Sequence, residues 1–235
     1  MKGIRQMMLI CSVCIATSSH TIAQSINQPD SSLVNKHTAY FQPKPVTIKS
    51  FILPAALITT GALASSGEFD QKVKEKRDEH FSNFHTSVDN YLQYAPIVAG
   101  YGMLINNKQH SFWTYTEKVV LTEVMLNAMV QPIKHITKKP RPDTGEPTSF
   151  PSGHTTQAFA GATIFSDEFA QHNTWLAVGA YTSAAAVGVL RVLNDRHWIS
   201  DVVAGAGFGI LSAKLSELII DTYTRKKHSS YTTQL

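Results

Sequence analysis

The stretch FPSGHTTQAFAGATIFSDEF, residues 150–169, decides the fold. Pro151, Ser152 and Gly153 make a tight start, and residues 155–169 then read as a helix rather than a strand. The same reading extends outward to residues 51–65, 91–105 around Pro96, 112–136, 175–193 and 199–220. These are six core helices, and residues 69–88 add a charge-rich amphipathic one. Gly161, Gly179, Gly188, Gly205, Gly207 and Gly209 allow close helix contacts in the later segments. With no β-rich block and no internal repeat, the expectation is an all-α protein: a six-helix core bundle with an additional amphipathic helix.

The 235 residues leave room for one or two domains. Hydrophobic residues are 43% and charged residues 16% of the chain, a balance that excludes a disordered polypeptide and a disulfide scaffold. A formal net charge of +4 permits anionic partners but falls short of the basic surface usual for nucleic-acid binding. Lys2 and Arg5, an apolar run at 7–16 and small residues up to Ala23 read as an export signal over residues 1–23. Cleavage there removes both cysteines, Cys11 and Cys14, so a disulfide or cysteine-based metal site is not expected. An uncleaved anchor also fits the run, and either reading places the chain in the cell envelope. The expected organisation is a signal at 1–23, an extended polar segment at 24–50, a helical domain at 51–220 and a polar basic tail at 221–235.

A membrane span needs about 20 mostly apolar residues. Residues 51–65 and 91–105 are shorter than that, and 112–136 carries Glu117, Lys118 and Glu123. The mean hydropathy of −0.09 is low for six spans. If all six crossed behind a cleaved signal, the loops after the third and fifth helices would face inward, the wrong side for an envelope hydrolase. Either one apolar segment does not cross, or most do not.

Three places concentrate chemistry. The first is Lys134 with Arg141, followed by Pro142; a point cation and a planar fork of donors suit the oxygens of a phosphate. Lys138 and Lys139, between them, read as ordinary solvated helix-end lysines. The second is Pro151-Ser152-Gly153-His154, where free backbone donors and a hydroxyl at a helix start can hold an anion and His154 can pass a proton. The third is Arg191 with His197 and Asp201. The last two are four apart, so a carboxylate can fix one imidazole nitrogen and leave the other as nucleophile or metal ligand. Taken singly, each has a plainer reading: a basic helix end, an N-cap, and a capping His–Asp pair.

Together, Lys134 with Arg141-Pro142, then Pro151-Ser152-Gly153-His154, then Arg191 with His197 and Asp201, resemble the three-part signature of the type 2 phosphatidic acid phosphatase (PAP2) superfamily. That superfamily also contains vanadium haloperoxidases and bacterial nonspecific acid phosphatases. The resemblance covers about residues 51–218. Arg196-His197-Trp198 and residues 205–212 look like exported members from Bacteroidetes-type bacteria, some of which dephosphorylate lipid A. One departure is Leu190, where many relatives have a small Ser, which bears on the packing behind Arg191.

The resemblance implies phosphomonoester hydrolysis in two steps, with neither a metal nor a cofactor. His197 would attack phosphorus and form a phosphohistidine, Asp201 would hold its ring, and His154 would protonate the leaving alkoxide. Lys134, Arg141, Ser152, Gly153 and Arg191 would bind the phosphate oxygens. The implied partner is a membrane surface carrying a phosphorylated lipid: lipid A, phosphatidate, phosphatidylglycerol phosphate or an isoprenyl diphosphate. The alternatives are a nonspecific exported acid phosphatase on small phosphomonoesters, a vanadium haloperoxidase with His197 on vanadate, and a non-catalytic binder of anionic lipid.

Overall fold

Capping chemistry sets the helix ends that matter for the site. In the computed structural model, Ser111 Oγ accepts the N–H of Thr114 at 3.4 Å and starts a helix over Phe112–Thr137. Lys138, at φ 45°, ends it and donates its N–H to the Lys134 carbonyl at 3.1 Å. Asn173 takes the N–H of Trp175 at 3.1 Å and starts Thr174–Leu193. The Ser152 carbonyl accepts the N–H of Thr156 at 3.0 Å at the start of Gly153–Phe169.

The structure describes residues 46–65, 67–106, 111–171 and 173–232, all within one compact unit, Phe41–Leu235. The expected signal at 1–23 and most of the 24–50 segment lie outside the described residues. After a 3₁₀ turn at Ile48–Phe51 come α1 (Ile52–Ala64), α2 (Glu68–Phe81), α3 (Val88–Leu92), α4 (Ala95–Asn106), α5 (Phe112–Thr137), α6 (Gly153–Phe169), α7 (Thr174–Leu193) and α8 (Ile199–Thr232). The described residues contain no strand, and the protein is all-α, as expected from the sequence. Three boundaries differ from the reading above. The charged helix stops at Phe81 rather than running to 88, the 91–105 segment divides into α3 and α4, and α8 continues to Thr232. Pro96 falls in the first turn of α4, where a missing N–H costs nothing.

Helix α8 is central and packs against α1, α5 and α6, while α6 also packs against α4 and α7. Small residues permit this closeness: a Cβ at Gly205 would lie 2.8 Å from the Ser152 carbonyl oxygen of the α6 start, and one at Gly207 would lie 2.7 Å from the Pro54 carbonyl of α1. One apolar cluster gathers Tyr115, Ala158, Phe165, Ala184 and Val187; a second gathers Leu126, Val130, Phe150, Ala204 and Phe208. Two of the charges in the first half of α5 turn inward to partners. Lys118 pairs with Glu168 of α6 at 2.5 Å, and Glu123 accepts from Gln157 of the same helix.

Two described helices, Thr174–Leu193 and Ile199–Tyr223, are long and apolar enough to cross a membrane. Little of the first is covered by the protein itself, and Trp175, Val178 and Val189 stand exposed along it. The successive reversals of α5, α6, α7 and α8 bring four helix ends together: the C-termini of α5 and α7 and the N-termini of α6 and α8.

Candidate active site

Each of the eight residues singled out in the sequence lies at or beside those four ends. Lys134 is on the last turn of α5, and Arg141 is on the loop that follows. Ser152 caps α6, with Gly153 and His154 in its first turn. Arg191 is on the last turn of α7, His197 is on the turn into α8, and Asp201 is on the first turn of α8. The α7–α8 turn is tight because Asp195 adopts φ 59° and the N–H groups of Arg196 and His197 both return to the Arg191 carbonyl, at 3.0 and 3.3 Å.

His197 is buried, and its Nδ1 faces Asp201 Oδ2 at 3.6 Å and Ser149 Oγ at 3.4 Å. Ser149 Oγ donates to the same carboxylate oxygen at 2.5 Å, and the Trp198 N–H donates to it at 3.1 Å. Nδ1 is therefore the nitrogen held by the carboxylate side, which turns Nε2 away from it. Burial pushes His197 down to about 4, more strongly than the Asp201 contact raises it, and the nearby Arg191 and Lys134 cations add to the lowering. At neutral pH the imidazole is uncharged, with a lone pair available for attack.

The cations converge on the same volume. Burial pushes Lys134 down to about 8, and repulsion from Arg141 and Arg191 adds to this while Asp201 opposes it. Its ammonium is held in place by the carbonyls of Thr148 and Pro151 at 2.6 and 2.7 Å. Arg141 Nε donates to Thr148 Oγ1 at 3.2 Å. Arg191 is buried, with Nη1 on Asp89 Oδ2 at 2.6 Å and its buried Nε free of any protein acceptor among the described residues. Leu190 beside it is half-buried, and it is Asp89 that positions the guanidinium. Ser152 is fully buried, and a Cβ built on Gly153 would meet only open space, so the start of α6 presents its backbone to a cavity side.

His154 Nε2 donates to Asn90 Oδ1 at 2.8 Å. Burial holds His154 at about 4, with Arg191 the next largest influence in the same direction. A phosphate dianion placed among those cations would neutralise them and raise the histidine.

Three supports escaped the sequence reading. Asp89 and Asn90, on the five-residue α3, hold Arg191 and His154, and Asn194 in turn holds Asp89 at 3.2 Å and the Thr86 backbone at 2.9 Å. Helix α2 grips the α7–α8 turn: Lys74 Nζ reaches both oxygens of Asp195 at 3.0 Å, and Arg77 Nε donates to the Leu193 carbonyl at 3.0 Å. Lys139 is not a solvated helix-end lysine. It reaches Asp70 Oδ2 at 2.7 Å, Ser200 Oγ at 2.8 Å and Asp201 Oδ1 at 2.9 Å. The only available signal was an acid, Asp70, at the start of the helix read as charge-rich and amphipathic. Among the described residues no group of three or more His, Cys, Asp or Glu is placed to hold a metal ion.

The site is thus a buried, neutral imidazole facing three cations and a helix start, with a second imidazole nearby. Residues 118–225 match the PAP2 superfamily. A protein of Porphyromonas gingivalis named lipid A 1-phosphatase is 35% identical over 161 residues, which are 66% of this chain and 36% of that protein, so the chain spans about a third of the relative's length. Among solved structures, a transmembrane PAP2-type phosphatidylglycerolphosphate phosphatase from Bacillus subtilis is similar with TM-score 0.54 and 18% identity, covering 72% of this chain and 96% of that one. LpxE of Aquifex aeolicus gives TM-score 0.47 and 21% identity, with 60% of this chain and 92% of that one covered.

Proposed function

We propose, on the match of residues 118–225 to the PAP2 superfamily, that the chain is an envelope phosphatase of that superfamily and hydrolyses a phosphorylated lipid through a phosphohistidine on His197. The observation that carries this reading is the orientation of His197. Nδ1 is turned to Asp201 and Ser149, and the ring is uncharged beside Lys134 and Arg191.

In the first step His197 Nε2 attacks phosphorus and the bond from phosphorus to the leaving oxygen breaks. His154 gives that oxygen its proton. The charge shifting onto the phosphoryl oxygens is met by Lys134, Arg141, Arg191, the Ser152 hydroxyl and the Gly153 N–H. In the second step His154 takes a proton from water, the water oxygen bonds to phosphorus, and the N–P bond breaks to release inorganic phosphate. Asp201 stabilises the cationic ring in between. The lipid class is supported by the 35% identity to a lipid A 1-phosphatase and by two helices apolar enough for a membrane. The export signal read at 1–23 supports a periplasmic address, with the four helix ends on that side when α7 and α8 lie against the inner membrane rather than cross it.

The test is phosphate release by the purified protein with a chelator present, on lipid A or phosphatidate in mixed micelles and on a small aryl phosphate. Lipid-dependent turnover, lost in a folded His197→Ala variant, is the expected result. Equal turnover on both substrates moves the assignment to a nonspecific acid phosphatase. Turnover retained in His197→Ala contradicts the mechanism.

A further inference from the structure

Behind the His197–Asp201 pair, away from the phosphate-binding cations, lies a second layer of buried charge. Asp70 of α2 is 4% exposed and accepts the Ser200 N–H at 3.0 Å and the Ser200 hydroxyl at 2.6 Å. Lys139 stands between Asp70 and Asp201, with Trp198 beneath its ammonium at 5.6 Å from the ring centroid. A lysine ammonium has three donors, and three oxygen partners surround this one: Asp70, Ser200 and Asp201. Asp201 is fully buried and held at both oxygens. Ser149 and the Trp198 N–H occupy Oδ2, and the Lys139 charge faces Oδ1 without a well-aligned hydrogen bond.

We infer that Lys139 and Asp70 are positioning residues for the nucleophile: Lys139 holds the Asp201 carboxylate in the plane that orients His197, and Asp70 holds Lys139 there. This rests on the phosphohistidine reading above. Lys139 and Asp70 pair with each other, with Ser200 and, for Lys139, with Asp201, so their effect passes through Asp201. Removing the Lys139 charge leaves Oδ1 of a buried carboxylate with no counter-cation, and the carboxylate rotates or takes a proton. Either change loosens the tautomer of His197, while the groups that bind the phosphate stay in place. Lys139 therefore acts on kcat and not on KM. A shell that orients a reacting group is typically worth about 10- to 100-fold, and Lys139→Met is expected to lower kcat within that range with KM changed by less than about twofold.

A buried ion pair broken on one side is strongly destabilising, so Lys139→Met alone is not a sufficient test. The Lys139→Met/Asp70→Asn double variant removes both charges. If the pair serves only stability, the folded double variant regains the wild-type kcat whatever its melting temperature, because Asp201 still lacks its cation there. If Lys139 positions Asp201, the double variant folds and keeps the kcat loss, and Asp70→Asn alone, which leaves Lys139 on Asp201, loses less. ¹⁵N-histidine NMR supplies a readout independent of turnover. The expected result is a single Nδ1–H tautomer for His197 in the wild type and a mixture in the double variant. An unchanged tautomer with unchanged kcat in the folded double variant overturns the inference. A wild type that hydrolyses no phosphoester overturns instead the reading on which it rests, and in that case the tautomer comparison alone decides whether Lys139 orients His197.

Discussion

Lys134 shows how burial sets the working range of a single residue. Held at about 8 in the free protein, mainly by desolvation and then by Arg141 and Arg191, it loses its charge as pH rises through that value. The kcat/KM for a phosphate ester, which reports the free enzyme, is expected to fall on the basic side with a limb near pH 8. Lys134→Arg, charged throughout, removes that limb even if its absolute rate is lower. A pH–rate profile in which the limb stays in the arginine variant contradicts the assignment. At this scale the sequence was legible wherever the chemistry lay inside a spaced motif, as with His197 four residues before Asp201. It was not legible for Lys139 and Asp70, because a lysine in a run of basic residues and an acid in a charged helix look solvated until the fold brings them together across 69 positions.

Helix contact explains why the small residues fall where they do. Gly205 sets the distance between α8 and the start of α6, which carries Ser152, Gly153 and His154. Gly205→Ala forces a Cβ against the Ser152 carbonyl and is expected to cost about 1–3 kcal/mol, the usual scale of overpacking, and to reduce turnover because the helix start is displaced. Gly179→Ala on α7 meets nothing within 4 Å and is expected to leave both melting temperature and activity unchanged or slightly improved. Equal effects at the two positions would contradict this packing account. The long helices were readable from their apolar runs and caps. The five-residue α3 was not: it straddles the gap between the charged helix read at 69–88 and the apolar segment read at 91–105, and the value of Asp89 and Asn90 depends on where Arg191 and His154 arrive from 102 and 64 residues away.

For the whole molecule, the all-α bundle was visible in the spacing of apolar residues, whereas the number of apolar helices fit for a membrane was not. Residues 112–136 read as too charged to cross a membrane, and Lys118 and Glu123 face α6 instead; among the described residues α7 and α8 each combine the length and composition of a span. The bundle serves to bring two helix C-termini and two N-termini to one end, with α2 and α3 bracing that end from outside the apolar core. In the proposed mechanism this geometry serves one chemical event, the formation of a bond between phosphorus and His197. The most direct measurement is a rapid acid-free quench of the protein with ³²P-labelled substrate, followed by peptide mapping of the labelled chain. The account predicts an acid-labile, base-stable phosphoryl group on His197, absent in His197→Ala. Turnover without any phosphoenzyme, or a label on another side chain, would contradict it.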